Sequence, residues 1–302
     1  MYKTIKIKVN LSDRIVDWLI LLLVTIALIV VSYPLLYVLS SSFSSVEAIL
    51  SGRVKLWPVG FNLNGYKAVI NYNRVARGIL NSVIYASLYT LLSLFLTTIA
   101  AYPLSRKDFR PRNIIMYIFA FTMYFGGGLI PYYVVIKTLG FVNTPFVMFI
   151  PGAMSVFNVI LMRTYIQNSI PASIQESSQI DGCSDIRFLS SILVPLSKPI
   201  LAVIALYCAV GSWNDYFTAM IFLSNDKLNP IQIVLKDILV MSRVDPIMYS
   251  KIRDPTILQN KVGLEALLKY SLIVVSSLPI LAVYPFVQKY FVKGVTLGAI
   301  KG

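Results

Sequence analysis

Six apolar segments, each near the length that crosses a lipid bilayer, recur along this chain of 302 residues. A helix that spans the hydrocarbon core needs about 20 mostly apolar residues, and backbone groups inside lipid must be satisfied within the segment. We therefore predict an all-α membrane protein with six transmembrane helices in a single transmembrane domain, residues 1–302. The predicted spans are residues 15–39, 79–104, 114–136, 146–166, 192–222 and 267–291.

The composition supports this class. Hydrophobic residues make up 57% of the chain and charged residues only 13%, which is too little polar material to cover a soluble domain. The formal net charge is +14. Basic residues beside membrane spans meet anionic lipid headgroups, and no continuous soluble region carries a basic face, so we do not expect nucleic-acid binding.

Residues for catalysis are scarce. The chain has no histidine, which removes the usual general base and the usual zinc ligand. Cys183 and Cys208 form no CxxC pair and are expected to be packing residues. The phosphate-binding pattern GxxxxGK[ST] does not occur. We therefore predict no catalytic residue, no metal site, no cofactor bound by this chain and no enzyme activity of its own.

Basic residues in the short loops predict the orientation in the membrane. One group precedes the first predicted span and another fills the loop after the second, which places both on the cytoplasmic side. These residues are Lys3, Lys6, Lys8, Arg14, Arg106, Lys107, Arg110 and Arg112. With an even number of spans, both termini are predicted to be cytoplasmic, and loops 45–74 and 223–266 to lie outside.

The run MYFGGGLIPYY, residues 123–133, interrupts the third predicted span. Non-helical backbone at membrane depth is tolerated where it is buried in protein or lines a water-filled path. One interpretation is therefore backbone that lines a permeation path. The other is close helix packing through small residues.

A polar segment, residues 170–190, separates the fourth and fifth predicted spans on the cytoplasmic side. Pro171 suits a first helical turn, and Ser173 and Glu176 have the spacing of a capping box. Gly182 suits the residue just past a helix end, and Ser184 a second cap. The pattern predicts two short helices joined by a sharp turn. It fits either an ordinary capped loop or a compact docking site for a partner.

A family resemblance favours docking. The pattern of Glu, two small residues, Asp, Gly and a further small residue resembles the EAA loop of ABC importer permeases. It is met here by Glu176, Ser177, Ser178, Asp181, Gly182 and Cys183, followed by Phe188, Ile192 and Pro195. Serines replace the family's two alanines and Cys183 replaces another, so the residues stay small. The resemblance implies a coupling-helix loop that docks onto an ATPase subunit.

Three further stretches resemble carbohydrate-type permeases of the maltose-transporter class, and the resemblance covers essentially the whole chain. They are residues 123–166, the Trp213-Asn214-Asp215 element and residues 278–302. The resemblance implies a multi-pass subunit of a bacterial cytoplasmic membrane importer for oligosaccharides. Its implied partners are a second, related permease subunit, two ATPase subunits that use ATP and Mg, and an extracytoplasmic solute-binding protein.

Sugar paths use aromatic faces and hydrogen-bonding groups. The candidates for lining such a path are Tyr124, Tyr132, Asn158, Trp213, Asn214 and Asp215. Asp215 stands out because an ionisable residue near a span is a functional hypothesis by default. The alternative places Asp215 at the outer interface beside belt aromatics.

Other functions fit less well. Import of a peptide or a polyamine remains a runner-up, against which only the resemblance argues. A secondary transporter needs intramembrane acids and usually internal repeats. A membrane enzyme needs a nucleophile–base pair or a metal cluster, which this chain is not expected to assemble.

Overall fold

A computed structural model describes residues 11–241, 265–283 and 285 of the chain. The regular structure throughout these residues is helical. The N-terminal helices are α1 (Leu11–Ser42), α2 (Val46–Leu50), α3 (Asn64–Asn71), α4 (Asn73–Ser105), α5 (Arg112–Tyr124), α6 (Leu129–Thr138) and α7 (Val156–Ser169). A short 3-10 helix, Pro145–Met148, precedes α7.

The later helices are shorter and more broken. They are α8 (Ala172–Ile180), α9 (Asp185–Phe188), α10 (Val194–Leu196), α11 (Lys198–Trp213), α12 (Phe217–Phe222), α13 (Ile231–Met241) and α14 (Glu265–Val283). A π-helical stretch, Leu189–Leu193, joins α9 to α10. A 3-10 turn, Asp226–Leu228, precedes α13.

The chain divides into two compact units. The first combines Met1–Asn71 with Ile238–Val275. Its core packs Ala48, Ile49 and Val54 against Leu267. Buried serines hold the connection after α1: the Ser44 hydroxyl accepts a hydrogen bond from Val59 N at 3.0 Å, and the Ser40 hydroxyl donates to the Leu56 carbonyl at 2.6 Å.

The second unit combines Tyr72–Asp237 with Ser276–Gly302 and holds both sites described below. Helix α4 packs against α7 and α11 along its length. One end of this bundle has a core that includes Met162, Phe188 and Ile204, and a second core includes Ile136, Val147 and Phe222.

Within the described residues, three helices are long and apolar enough to cross a membrane: Ser12–Ser42, Asn73–Ser105 and Glu265–Val283. The described residues have up to 5 such spans if each of two bent helix pairs counts as one. Predicted spans 15–39 and 79–104 lie within α1 and α4. Predicted span 267–291 begins in α14, and most of residues 284–291 lie outside the described residues.

The other predicted spans are interrupted. The third is split between α5 and α6, which meet at 113° across the glycine run. The fourth, 146–166, is a 3-10 helix followed by the 14-residue α7 rather than one helix. In the fifth, helix Lys198–Trp213 is bent by 81° from Asp185–Leu196, where Pro199 begins a new helix.

Candidate functional site

Residues 172–188, which we call the coupling segment, fold as helix, turn, helix. Helix α8 ends at Ile180 with Asp181 as its C-cap, and Gly182 has φ +72°, a left-handed conformation that only glycine adopts without cost. The Ser184 hydroxyl then accepts a hydrogen bond from Arg187 N at 3.4 Å and caps α9. The two short helices joined at Gly182 are therefore those that the sequence predicts.

The start of α8 differs from the predicted capping box. Pro171 is the N-cap residue, and no side chain caps this helix. The Pro171 carbonyl accepts from Ile174 N at 3.1 Å, so the helix begins before Ser173. Ser173 therefore lies inside the first turn, where its hydroxyl cannot serve as the N-cap acceptor.

The predicted coupling residues face different environments. Glu176, Ser177, Asp181 and Gly182 are exposed. Ser178 is buried, and its hydroxyl donates to the Gln175 carbonyl at 2.7 Å. Ser178 thus seats α8 on the bundle rather than facing outward.

Cys183, half-buried, packs against the core that holds Phe188. A small residue suits this position because it lies between the turn and the bundle.

Two isoleucines on the coupling segment were missed by sequence reasoning. Ile180 is 87% exposed and Ile186 is 80% exposed, one on each short helix. Isolated exposed apolar residues are common on protein surfaces. Here both lie beside an exposed carboxylate, Glu176 or Asp185, which gives the segment a mixed apolar and acidic surface. The sequence shows two isoleucines in a polar segment, but it does not tell whether they pack on the bundle or face outward.

Arg106, which follows α4, ties the coupling segment to the loop after that helix. Its guanidinium contacts the carboxylates of Asp108 and Asp185, and its side chain is only 13% exposed. The Tyr102 hydroxyl donates to the Asp185 carboxylate at 2.9 Å, and Arg106 donates to the same hydroxyl at 3.2 Å. Charge-assisted bonds of this kind are the stronger class of hydrogen bond.

These contacts shift the ionisation of the loop residues. The hydrogen bond to Asp108 raises the pKa of Arg106 above its usual range. The same bond from Arg106 lowers the pKa of the Asp108 carboxyl. Both groups therefore stay charged at neutral pH.

Further polar contacts hold the same end of the bundle. Arg112 donates to the Arg106 carbonyl at 2.7 Å, and Arg163 donates to the Leu104 carbonyl at 2.8 Å. The loop and the coupling segment border an open cavity of about 650 Å³, whose lining includes Lys107 and Glu176. The Asp185 carboxylate, which contacts both Arg106 and Tyr102, links the coupling segment to the end of α4 and the loop after it, and we call this connection the joint.

A second cavity, of about 410 Å³, lies between α4, α6, α11 and α12. We call it the Asp215 cavity. Its polar lining comes from two tyrosines, two hydroxyl residues, one carboxylate and a main-chain segment. These are Tyr89, Tyr132, Ser212, Thr218, Asp215 and Gly152.

Some polar groups of the Asp215 cavity already form hydrogen bonds within the protein. The Asp215 Oδ1 atom accepts from Thr218 N at 3.0 Å, which helps to begin α12. The Tyr89 hydroxyl donates to the Gly152 carbonyl at 3.0 Å. The Ser212 hydroxyl is buried without a hydrogen-bond partner among the described residues. The cavity therefore keeps hydrogen-bonding capacity for a ligand.

Only two of the six predicted path residues, Tyr132 and Asp215, line this cavity. Tyr124 is 83% exposed at the end of α5. Asn158 is buried and faces Cys208, with 3.5 Å between Nδ2 and Sγ. Asn214 is exposed and accepts from Gln232 Nε2 at 3.4 Å.

Trp213 has a different position from its neighbours. It is buried, lines a separate apolar cavity of about 430 Å³, and donates from Nε1 to the Ser276 carbonyl at 3.0 Å. Its indole therefore joins α11 to α14. Four of the polar lining residues were not predicted, because nothing in an apolar stretch marks which of its residues meet a cavity. They are Tyr89, Gly152, Ser212 and Thr218.

Comparisons with known proteins agree with the helical architecture. The chain is 35% identical over 97% of its length to all of the polygalacturonan/rhamnogalacturonan transport system permease protein YtcP of Bacillus subtilis (strain 168). It is 36% identical to Protein LplC of the same organism, over 89% of each chain. It is 27% identical to the trehalose/maltose transport system permease protein MalG of Thermococcus litoralis, over 91% of this chain and 93% of that protein.

A solved structure is similar as well. It is the crystal structure of a bacterial ABC transporter involved in the import of the acidic polysaccharide alginate. Its matching chain is 35% identical, with a TM-score of 0.84 over 93% of this chain and 98% of that chain. No protein-family model matches. On these relatives, the chain belongs to the permease subunits of ABC transporters, among those of sugar and polysaccharide importers.

Proposed function

We propose that this chain is the six-span permease subunit of a binding-protein-dependent ABC importer that moves oligosaccharides into a bacterial cell. The proposed span order keeps both termini and the coupling segment in the cytoplasm. The named substrates of the relatives, which are sugars and polysaccharides, support this substrate class.

The proposed assembly contains this permease, a second related permease, two ATPase subunits and an extracytoplasmic solute-binding protein. ATP and Mg would be used by the ATPase subunits, and this chain would bind no cofactor. Closure of the ATPase pair would then move the spans as rigid bodies and open the path alternately to each side.

One observation carries the coupling role. The coupling segment presents Ile180 and Ile186 almost fully exposed, one on each short helix, together with the exposed Glu176, while Ser178 and Phe188 are buried. Exposed apolar surface that is rimmed by polar residues marks protein–protein interaction sites. Glu176, Ser177, Asp181 and Gly182 would lie at this interface, with Ser178 and Cys183 behind it. Tyr132 and Asp215 would contribute to the substrate path.

The test is ATP hydrolysis by the complete complex, reconstituted with its binding protein and candidate oligosaccharides. Glu176→Lys and Ile180→Asp are each expected to lower the stimulated rate about tenfold or to release the ATPase subunits, since hot-spot residues commonly contribute 2 kcal/mol or more. Glu47→Lys, an exposed carboxylate outside the coupling segment, is the matched control. Unchanged assembly and stimulation in both coupling variants would reject the docking role.

A further inference from the structure

The Asp215 cavity has a distinctive electrostatic character. In the part of the chain that the structure describes, its lining includes the Asp215 carboxylate but no lysine or arginine. The ion pairs of the described residues involve Asp108, Asp185, Asp226 and Asp237, and Asp215 is not among them. Its charge is therefore offset by hydrogen bonds rather than by a cation.

The remaining lining groups suit a ligand rich in hydroxyl groups. Tyr132 is 41% exposed, so its ring offers a face on which a sugar ring can stack. Asp215 accepts hydrogen bonds, and the Ser212 hydroxyl can donate and accept. The Tyr89 hydroxyl, which donates to the Gly152 carbonyl, can still accept. A volume of about 410 Å³ lies within the usual range for small-ligand sites.

A sugar carboxylate meets a different environment. Placed in this cavity, it would face the Asp215 carboxylate across a short distance with no lining cation to offset the repulsion. Like charges in a partly desolvated site repel more strongly than in water. The same cavity accepts a neutral ring, because its hydroxyl groups can donate to Asp215.

We propose that the Asp215 cavity binds a neutral, hydroxyl-rich sugar unit, and that Asp215 disfavours a carboxylate-bearing unit at the same position. This inference rests on the proposed oligosaccharide transport. A preference for a neutral unit is not inherited from the names of two similar proteins, which transport polygalacturonan and the acidic polysaccharide alginate. Asp215 would thus be a specificity-determining residue.

The test is direct sugar binding to the complete permease–ATPase complex in lipid nanodiscs, without binding protein, measured by equilibrium dialysis. The probes are a galacturonate trimer and its carboxyl-reduced, neutral counterpart. The wild type is expected to bind the neutral trimer about tenfold more tightly. Asp215→Asn, which keeps an oxygen for Thr218 N, is expected to tighten binding of the acidic trimer and narrow the gap to about threefold or less.

The gain in acidic-trimer binding is the decisive readout, because a misfolded variant would lose both probes. Glu47→Gln removes an exposed carboxylate outside the cavity and should leave the ratio unchanged. No neutral-trimer binding, a wild-type preference for the acidic trimer, or an unchanged ratio in Asp215→Asn would overturn the inference. The proposed function is tested in a separate assay, which measures ATP hydrolysis by the wild-type complex with binding protein. Absence of stimulation there would reject the proposed function, whatever the dialysis ratio.

Discussion

The joint at Arg106 and the Asp215 cavity use aspartate in opposite ways. At the joint, Asp108 and Asp185 share one guanidinium that is 13% exposed, and both carboxylates are held by it. In the cavity, Asp215 accepts a backbone N–H and has no ion-pair partner among the described residues. A paired carboxylate fixes one element to another, whereas one held only by hydrogen bonds keeps its charge available to a ligand.

This difference fits the roles that we propose for the two regions. A joint that transmits movement must stay closed while its two sides move together, and here Arg106 contacts both carboxylates. A cavity on a transport path must bind and then release, so its polar groups are left only partly satisfied. Under the proposed roles, the same side-chain type would provide stiffness at one end of α4 and ligand recognition elsewhere in the second unit.

The largest expected effect comes from breaking the joint. Arg106→Glu would place a third carboxylate against Asp108 and Asp185, and stimulated ATP hydrolysis is expected to fall about tenfold, since two ion pairs with exposed carboxylates become two repulsions and each such change contributes up to about 1 kcal/mol. Arg110→Glu reverses an exposed charge in the same loop and should have little effect. The double variant Arg106→Asp with Asp185→Arg should recover part of the activity. No recovery, with Arg110→Glu equally impaired, would show that loop charge rather than the pair matters.

The next effect tests the turn within the coupling segment. Gly182 has φ +72°, and a Cβ added there would meet no atom within 4 Å, so the cost of substitution is purely conformational. Gly182→Val is expected to destabilise the turn by about 1–2 kcal/mol, and Gly182→Asn by less, since asparagine tolerates this conformation. Protease sensitivity of the coupling segment measures this, with Ser177→Ala as control. Equal protease sensitivity of Gly182→Val and Gly182→Asn would show that backbone strain is not the cause.

The helix–turn–helix of the coupling segment was predictable because its signals are local. Gly182 and Ser184 act on backbone groups one to three residues away, and both behave as the sequence predicts. The glycine run at 126–128 likewise coincides with the bend between α5 and α6. Local rules failed at Pro171 and Ser173: the sequence predicts Pro171 in the first turn and Ser173 at the cap, whereas Pro171 is the N-cap and α8 begins at Ala172.

The contacts between distant residues could not be read from the sequence. Arg106 and Asp185 lie 79 positions apart, so neither one reveals the other as a partner. Hydropathy also treated residues 192–222 as one span, whereas α11 ends at Trp213 and α12 follows. Part of predicted loop 223–266 is helix α13, whose apolar residues Ile231 and Val234 are buried. Apolar residues that pack on protein and those that face lipid give the same hydropathy signal.

A smaller effect tests whether Trp213 belongs to the substrate path or only stabilises the fold. Trp213→Phe removes the hydrogen bond to the Ser276 carbonyl and part of a buried side chain, and is expected to cost about 1–3 kcal/mol of stability. The preference between neutral and acidic trimers should not change, because Trp213 lies outside the Asp215 cavity. Trp57→Phe, at a tryptophan that is 81% exposed, is the matched control. Thermal unfolding and the dialysis ratio together separate the two roles, and a changed ratio would assign Trp213 to the path.

The smallest expected effect concerns pH at the joint. Arg106 lowers the pKa of Asp108 in the folded protein, so this pair stabilises the loop fully above the unfolded pKa of aspartate, about 4. The stabilisation is lost as the pH falls through the lower, folded value. Hydrogen exchange of residues 105–112, corrected for its intrinsic pH dependence, should be about twofold faster in Asp108→Asn at pH 7, since pairs this exposed contribute little.

That difference from wild type should disappear in acid, because a protonated Asp108 no longer pairs with Arg106. Asp181→Asn, at an exposed aspartate outside the described ion pairs, should show no comparable convergence. A difference that persists unchanged to pH 3 would mean that Asp108 acts through packing. The joint would then depend on Asp185 and Tyr102 alone, with Asp108 only a neighbour of the guanidinium.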